Sequence, residues 1–245
     1  MKINKIDLGD GCSAGYTERR ASNPGNPYDG FNICHYTNDS PEHIAACRKS
    51  LSHTLGINPG QILIPRQTHS TNVAVIDNPA EVNLENTDGL VTANRSLLLC
   101  INTADCVPVV LHDSVAGVIG ICHAGWRGMV NGVIQHTVSA MLAIGASPHS
   151  IQAAMGPCIC TDCFEVGPEV AEQFTAWPHA VVQRPEWAKP HIDLAAVATT
   201  ILHSCGVNKV TPPDECTRCE WQRLFSARRL GINSGRMLTF ISLAT

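Results

Sequence analysis

The chain has 245 residues, of which 44% are hydrophobic and 16% charged, enough apolar side chains for one large domain or two small ones. The net charge is −4 without any basic cluster, which argues against nucleic acid as the main partner, because duplex binding needs concentrated lysine and arginine. No apolar run approaches the roughly 20 residues that cross a bilayer, and the first residues resemble no signal peptide. We therefore expect a cytoplasmic protein with no nucleic-acid or membrane partner.

The first strong structural signal is a helix that begins after Ser40. Ser40 is a hydroxyl N-cap, Pro41 occupies the first helical position, and Glu42 places an acid in the first turn. Gly56 supplies the C-terminal stop. The apolar face of this predicted helix consists of Ile44, Cys47, Leu51 and Leu55.

Short runs rich in valine and isoleucine follow, separated by turn residues, and predict the strands of a shared sheet system. They cover residues 61–64, 72–76, 97–102, 107–111, 115–121, 151–155 and 238–243.

Three further helices are predicted between and after these strands. The first starts at Trp126 and ends at Gly145, the second covers residues 169–177, and the third covers 193–205 with Asp193 as its N-cap. Irregular alternation of strands and helices favours an α+β (mixed α/β) fold, which we assign to one domain over residues 1–245.

Three residues carry the clearest chemical signal: His69 in RQTHS, Cys106 in TADCVPV and His123 in CHAGWRG. Each lies where an apolar strand meets a turn, so each side chain can point into a cleft. Two imidazoles and a thiolate form a ligand set that Zn²⁺ accepts at about 2.0–2.3 Å, with a fourth position left for water or substrate. Their spacing is too wide for a zinc finger, so only folding could bring them together. The ordinary alternative is two unrelated histidines and a cysteine.

Nine motifs occur in an order that resembles one known family. They are QTHS, DGLVT, TADCVPV, HAGWRG, GPCIC, CFEVG, HIDL, CT and FSARR. The family is that of the bacterial laccase-domain or polyphenol oxidase proteins, understood as multifunctional purine nucleoside phosphorylases. The resemblance extends from FNICHYTND near the N-terminus to SARR near the C-terminus. It implies a layered sandwich in which helices cover two facing mixed sheets.

The resemblance also implies an activity and a set of partners. The expected enzyme uses inorganic phosphate to release the base from adenosine, inosine or methylthioadenosine, with adenosine deamination as a side activity. His69, Cys106 and His123 match the family's catalytic metal ligands one for one. The expected metal is zinc, with copper as the alternative, because imidazole and thiolate suit both ions. A monomer or a weak homodimer is the expected assembly.

Three further residues are candidates for binding substrate or phosphate. Arg48 lies where the family has an Asn-Arg pair, although Cys47 replaces the asparagine here; a guanidinium suits bidentate phosphate binding, but an exposed helix arginine is the alternative. Arg127 lies at a predicted helix N-terminus, where it either binds an anion or holds the loop of His123. Asn32 in GFNIC either contacts the ribose or base, or forms a turn.

Two carboxylates near the motifs are candidates for moving protons. Deamination needs an acid beside the attacked purine, and Asp105 and Glu165 could supply it. Asp105 could instead orient a histidine ligand. Arg228 and Arg229 form a cationic pair, of which one is expected to bind Asp88 or Asp105.

Twelve cysteines in a chain without a recognisable export signal are expected to remain thiols. Five of them, Cys158, Cys160, Cys163, Cys216 and Cys219, could form a second metal cluster. The family does not require such a cluster, so the sequence favours packing cysteines.

Two other functions are compatible with the same residues. One is a cysteine hydrolase or amidase acting on a peptide-like cell-wall precursor, with Cys106 as nucleophile and His123 or His69 as base. The other is a copper-dependent polyphenol oxidase (laccase). The second is disfavoured, because multicopper oxidases use His-x-His pairs and none of the eleven histidines lies two residues from another.

Overall fold

The structure, a computed structural model, describes residues 1–23 and 25–244, and over these residues it contains thirteen β-strands and six α-helices. The strands are β1 Ile3–Ile6, β2 Cys12–Thr17, β3 Ile62–Leu63, β4 Val73–Val75, β5 Gly89–Thr92, β6 Leu98–Thr103, β7 Val107–Asp113, β8 Val118–Ala124, β9 Ile151–Met155, β10 Val181–Val182, β11 His191–Ile192, β12 Lys209–Thr211 and β13 Met237–Leu243. The helices are α1 Pro41–Leu55, α2 Trp126–Asn131, α3 Val133–Ala143, α4 Pro168–Ala171, α5 Leu194–Ser204 and α6 Ala227–Leu230.

Most strands belong to two mixed sheets. The first has the order β1-β2-β13-β6-β3, and the second has the order β12-β9-β7-β8-β5-β4, while β10 and β11 pair separately. In the first sheet only β3 and β6 run parallel. In the second sheet β12 runs parallel to β9 and β4 parallel to β5, whereas the central pairs are antiparallel.

The two sheets face each other across a buried apolar layer. Leu99, Ile101 and Ile241 from the first sheet pack in one cluster with Ile119 and Ile121 from the second. Since successive strand residues point to opposite faces, the alternate residues of the same strands face outward and need cover. Full burial of one large apolar side chain contributes roughly 1.5–3 kcal/mol to the free energy of folding.

Helices supply that cover on both outer faces. Leu51 of α1 packs with Leu98 and Phe240 on the first sheet. Val138 of α3 and Val197 of α5 belong to the apolar cluster on the second sheet. The expected α+β fold, two facing mixed sheets covered by helices, is confirmed.

The helices with clear capping signals lie where the sequence predicts them. The Ser40 side chain accepts a hydrogen bond from the backbone of His43 at 3.1 Å, and Gly56 ends α1 in the left-handed conformation at φ 64°. The Asp193 side chain likewise caps α5, accepting from the backbone of Ala196 at 2.9 Å. All seven predicted strands are present, with ends shifted by at most three residues.

The predicted helix between Trp126 and Gly145 is divided into α2 and α3. Gly132 stands between them at φ 103°, a left-handed conformation that glycine adopts without steric cost and that interrupts a right-handed helix. The predicted helix at 169–177 is also shorter, because α4 ends at Ala171 and gives way to a 3₁₀ turn.

Several short elements were missed. They are β1, β2, β5, β10, β11, β12 and α6. These segments have few residues or mix polar and apolar side chains, so their pairing partners rather than their own composition define them. No helix of the described residues is both long enough and apolar enough to cross a bilayer.

Candidate metal centre and adjoining cavity

Folding brings His69, Cys106 and His123 together at one end of the second sheet. His69 lies in the loop between β3 and β4, Cys106 directly precedes β7, and His123 lies in β8 opposite Pro108 of β7. The three ligand atoms lie within 4.8 Å of one another, and the Cys106 Sγ atom is 3.8 Å from Nε2 of His69. The group can therefore hold one metal ion from three sides.

Two residues of this region have an unusual backbone. His69 has φ 62° and Asp105 has φ 88°, a left-handed region that residues other than glycine seldom occupy. Such conformations persist only where surrounding contacts hold them, and they are frequent at functional sites. Here the left-handed turn at Asp105 immediately precedes Cys106.

Asp88 holds both histidines in place. Its carboxylate, buried completely, accepts hydrogen bonds from the backbone N–H groups of Thr68, His69 and Ser70 at 3.1, 3.1 and 2.8 Å. The same carboxylate lies 2.7 Å from Nδ1 of His123. A carboxylate bound to one imidazole nitrogen fixes the ring and leaves the other nitrogen for a metal.

Asp88 is a candidate functional residue that the sequence motifs indicate only as a possible partner of an arginine. The signal that could have found it is an acid directly before a fully buried strand, in the motif DGLVT. An ionisable group at such a position needs several partners to offset its burial.

The charges of Cys106, His123 and Asp88 are coupled. Burial raises the pKa of the Cys106 thiol, but the adjacent His123 and His69 outweigh burial and lower the pKa to about 6. Burial lowers the pKa of His123, but Cys106 and Asp88 outweigh it and raise the pKa to about 9. Burial likewise opposes ionisation of Asp88, yet its hydrogen bonds lower the pKa to about 2. Cys106 is thus a thiolate at neutral pH, the form that binds metals.

The space beside the three donors is kept open by Gly125. A β-carbon at this position would lie 2.6 Å from Cδ2 of His69 and 3.0 Å from Sγ of Cys106. Gly125 has φ −68°, so its backbone would accept other residues and only the close approach requires glycine. The donor set, the thiolate and this cleared space together fit a metal ion.

A cavity of about 570 Å³ adjoins the three donors, a volume within the usual range for small-molecule sites. Its walls combine polar, cationic and apolar side chains. The lining residues are Tyr36, Gln67, His69, Asn102, Ala104, Asp105, Cys106, His123, Ala227, Arg228, Ile232, Asn233 and Arg236.

Asn102 lines this cavity and carries a buried side-chain amide. The residue is 2% exposed, and among the described residues its amide contacts the Tyr36 side chain but makes no hydrogen bond of good geometry. Its backbone is held by Gln67, whose side chain accepts from the Asn102 N–H at 2.7 Å and donates to its carbonyl at 2.8 Å. A buried amide without a partner costs free energy unless a ligand or water completes it.

Asp105 lines the cavity but does not contact the histidines through a hydrogen bond. Its carboxylate accepts from the Thr217 hydroxyl at 2.6 Å and from the backbone N–H of Arg228 at 2.7 Å. The predicted pairing of an arginine with Asp105 therefore involves the backbone, not the guanidinium. The guanidinium of Arg228 instead donates to the carbonyl of Glu165 at 2.8 Å and lies over the ring of Phe164.

Four of the predicted site residues do not line the cavity. The guanidinium of Arg48 donates to the carbonyls of Pro59 and Ile62 at 3.2 and 3.0 Å, so it joins α1 to the following turn. Arg127 is exposed and lies over the ring of Trp126 at 4.2 Å.

The other two are Glu165 and Asn32. Glu165 is exposed, and its carboxylate lies 3.4 Å from Nζ of Lys189. Asn32 is buried; its amide donates to Asp39 at 2.7 Å and accepts from the backbone of Arg236 at 3.0 Å. Asn32 thus positions a cavity residue without facing the cavity.

The chain belongs to the family described as multi-copper polyphenol oxidoreductase laccase, whose model matches residues 13–244. The resemblance inferred from the motifs is confirmed. The match covers both sheets from the second residue of β2 onward and every residue of the candidate metal centre.

The alignments with individual relatives extend over nearly the whole chain. The chain is 42% identical to Adenosine deaminase RL5 from an unknown prokaryotic organism, over 98% of each protein. It is 35% identical to Purine nucleoside phosphorylase SCO2081 of Streptomyces coelicolor, over 98% of this chain and 99% of the relative. The crystal structure of Neisseria meningitidis protein NMB0706 superposes with a TM-score of 0.88 at 30% identity and covers both chains completely.

Proposed function

We propose that the chain is a metal-dependent purine nucleoside phosphorylase that acts on adenosine, inosine and methylthioadenosine and also deaminates adenosine. The observation that carries this proposal is a three-donor metal centre in the wall of a nucleoside-sized cavity that is also lined by arginines. The names of the two relatives support both halves of the proposal.

His69, Cys106 and His123 are the residues that would hold the metal, and zinc is the ion proposed. When bound, zinc acts as a Lewis acid that polarises an oxygen or lowers the pKa of water toward about 7. Asp88 keeps the His123 ring oriented, and Gly125 keeps the space beside the donors open.

Arg228 is the proposed phosphate ligand, in place of Arg48. Arg228 lines the cavity with the metal centre, whereas Arg48 binds two backbone carbonyls elsewhere. Arg236 also lines the cavity, but its guanidinium donates to the carbonyls of Ile232, Ser234 and Gly235 and so belongs mainly to its own loop. A guanidinium orients phosphate through charge-assisted hydrogen bonds.

Asn102 is the proposed contact for the purine. Its buried amide makes no hydrogen bond of good geometry within the protein and offers a donor and an acceptor, the pattern that a purine edge complements. In phosphorolysis a phosphate oxygen forms a bond to the anomeric carbon while the bond from that carbon to the base nitrogen breaks. The base leaves with a proton, and ribose 1-phosphate remains.

Asp105 is the proposed proton carrier for deamination. It lines the cavity next to Cys106, whereas Glu165 lies outside it. Water adds its oxygen to the purine carbon that bears the amino group, the carbon–nitrogen bond breaks, and ammonia leaves with the transferred proton.

A direct assay tests the proposal. Purified protein is incubated with adenosine at increasing phosphate concentration, and free base, ribose 1-phosphate and inosine are quantified. Base release should rise with phosphate and nearly vanish without it, while inosine formation should persist. If no nucleoside is consumed at any phosphate concentration, the proposed function fails.

A cysteine hydrolase is the second candidate, because one observation favours it. The Cys106 thiolate and the protonated His123 form the kind of pair that activates a nucleophilic cysteine. Metal content separates the two functions, since a nucleophilic cysteine is free to react and a metal-bound one is not.

A further inference from the structure

Four cysteines form a second cluster, separate from the centre at Cys106. Cys160 and Cys163 follow β9, and Cys216 and Cys219 follow β12. Their sulfur atoms lie within 4.8 Å of one another, and Sγ of Cys163 is 3.6 Å from Sγ of Cys219. Tetrahedral zinc with bonds of about 2.3 Å separates its sulfur ligands by roughly 3.8 Å. The cluster therefore has the size of a four-sulfur metal site, and its four cysteines are free thiols rather than disulfides.

The exposure of these cysteines argues against the packing role that the sequence favoured. Cys163 is buried, but Cys160 and Cys216 are partly exposed and Cys219 is exposed. Cysteines that only fill a core are usually fully buried. Cys158, the fifth cysteine of this region, is 2% exposed and lies outside the cluster, so the packing role suits it alone.

Backbone hydrogen bonds bring the two cysteine-bearing segments together. Cys158 and Cys216 form a parallel bridge, and the N–H of Thr217 donates to the carbonyl of Cys158 at 3.0 Å. The N–H of Cys160 points at Sγ of Cys216 at 3.3 Å, a contact that stabilises a thiolate. The Arg218 guanidinium contacts Cys163 and offsets part of the negative charge that four thiolates would carry.

We propose that Cys160, Cys163, Cys216 and Cys219 bind a structural zinc ion. Two C-x-x-C pairs that converge in space provide four thiolates, the donor set of closed structural zinc sites. With four protein ligands no coordination position remains for water or substrate, so this ion stabilises structure and takes no part in catalysis. Binding releases the thiol protons to solvent.

The proposed ion joins two segments that meet at the cavity wall. Thr217, between two of the ligands, donates its hydroxyl to Asp105, and the N–H of Ile159 donates to the carbonyl of Asp105 at 2.9 Å. Zinc at the four cysteines therefore holds the segments that carry Thr217 and Ile159, two hydrogen-bond partners of Asp105. Its loss should loosen the wall of the cavity without removing any ligand of the first metal.

Metal analysis of purified protein variants tests the proposal, and it requires no substrate. We expect about two zinc equivalents per chain in the wild type and about one in Cys106→Ala, in Cys216→Ser and in Cys219→Ser. Cys12→Ser is the matched control, because Cys12 lies in β2 outside both clusters, and it should retain both ions. Cys158→Ser should also retain both, which separates the fifth cysteine from the ligands.

Three results would overturn the proposal. They are a wild type whose zinc is lost entirely in Cys106→Ala, iron in place of zinc at the second site, and a Cys163–Cys219 cross-link in the mass spectrum of the unreduced protein. If the serine variants do not fold, the zinc content of the wild type and of Cys106→Ala still shows whether a second zinc ion is bound. Because the readout is metal content, a protein with two zinc ions but no nucleoside activity would refute the proposed function and leave this inference standing.

Discussion

Asp88 and His123 are paired at 2.7 Å between a carboxylate oxygen and Nδ1, with both side chains buried. The same carboxylate accepts hydrogen bonds from the backbone N–H groups of His69 and Ser70. One acid therefore contacts the segments that carry two of the three proposed metal ligands. A change at Asp88 should therefore affect metal binding more than it affects the fold.

Asp88→Asn removes the charge that supports the His123 imidazole. We expect metal affinity or activity to fall by roughly 10- to 100-fold, the usual effect of losing a carboxylate behind a histidine ligand. Metal titration and nucleoside turnover measure this. Asp10→Asn, at an exposed position, is the control. Unchanged metal affinity in Asp88→Asn would show that the pair does not support the metal centre.

Gly125→Ala places a methyl group against His69 and Cys106. The close approach of 2.6 Å to the His69 ring must push that ring away, so we expect metal affinity to fall by about tenfold or more. Gly60→Ala is the matched control, because a β-carbon there makes only an ordinary contact of 3.5 Å. The two variants are compared by metal titration and thermal unfolding. Equal metal affinity in both would contradict the proposed metal site at His69 and Cys106.

Arg228→Ala and Arg48→Ala separate the two candidate phosphate ligands. Loss of a well-oriented charge-assisted contact, worth about 3 kcal/mol, should lower phosphorolysis by roughly 10²-fold in Arg228→Ala, with a smaller effect on deamination. Arg48→Ala should lower stability while phosphorolysis stays close to wild type. Steady-state kinetics with varied phosphate measure both, and the reverse ranking would return the phosphate role to Arg48.

The buried carboxylate of Glu18 should make stability depend on acidity. Burial raises its pKa, but hydrogen bonds from Lys2, Asn4 and Arg223 outweigh burial and lower the pKa from 4.5 to about 2. A lowered folded-state pKa adds stability that is complete above 4.5 and is lost as the pH falls toward about 2.

The change Glu18→Gln isolates this contribution. Between about pH 6 and about pH 3, the wild type should lose about 2 kcal/mol more unfolding free energy than Glu18→Gln, as measured by urea denaturation. Glu81→Gln, in an exposed 3₁₀ turn, is the control. Equal pH dependence of Glu18→Gln and wild type would contradict the ion-paired state of Glu18.

Removal of the metal should expose the Cys106 thiolate to alkylation. With a pKa of about 6, Cys106 in metal-free protein should react with iodoacetamide at neutral pH, and the rate should fall as the pH drops below about 6. Metal-loaded protein should be protected. Cys34 is the internal control, because burial raises its pKa to about 11. Rapid alkylation of metal-loaded protein would favour the hydrolase.

Local signals made much of the fold predictable. The N-caps Ser40 and Asp193 and the C-terminal Gly56 determine helix ends through hydrogen bonds and backbone angles within a few residues. The Val- and Ile-rich runs were recognisable as strands because their side chains need burial. Gly132 shows the limit, since an isolated glycine is tolerated in many helices and only the structure reveals the left-handed break.

The three metal-ligand candidates were recognisable from the sequence, because His69, Cys106 and His123 lie in distinctive motifs at strand ends. Which other groups join them depends on how the chain folds. Asp88 reaches His123 across 35 residues of chain, and Cys163 reaches Cys219 across 56. Arg228 reaches the cavity while Arg48 does not, although both are arginines in family motifs. Such pairings depend on sheet register and loop path, which arise from packing of the whole chain and leave no mark on the local pattern.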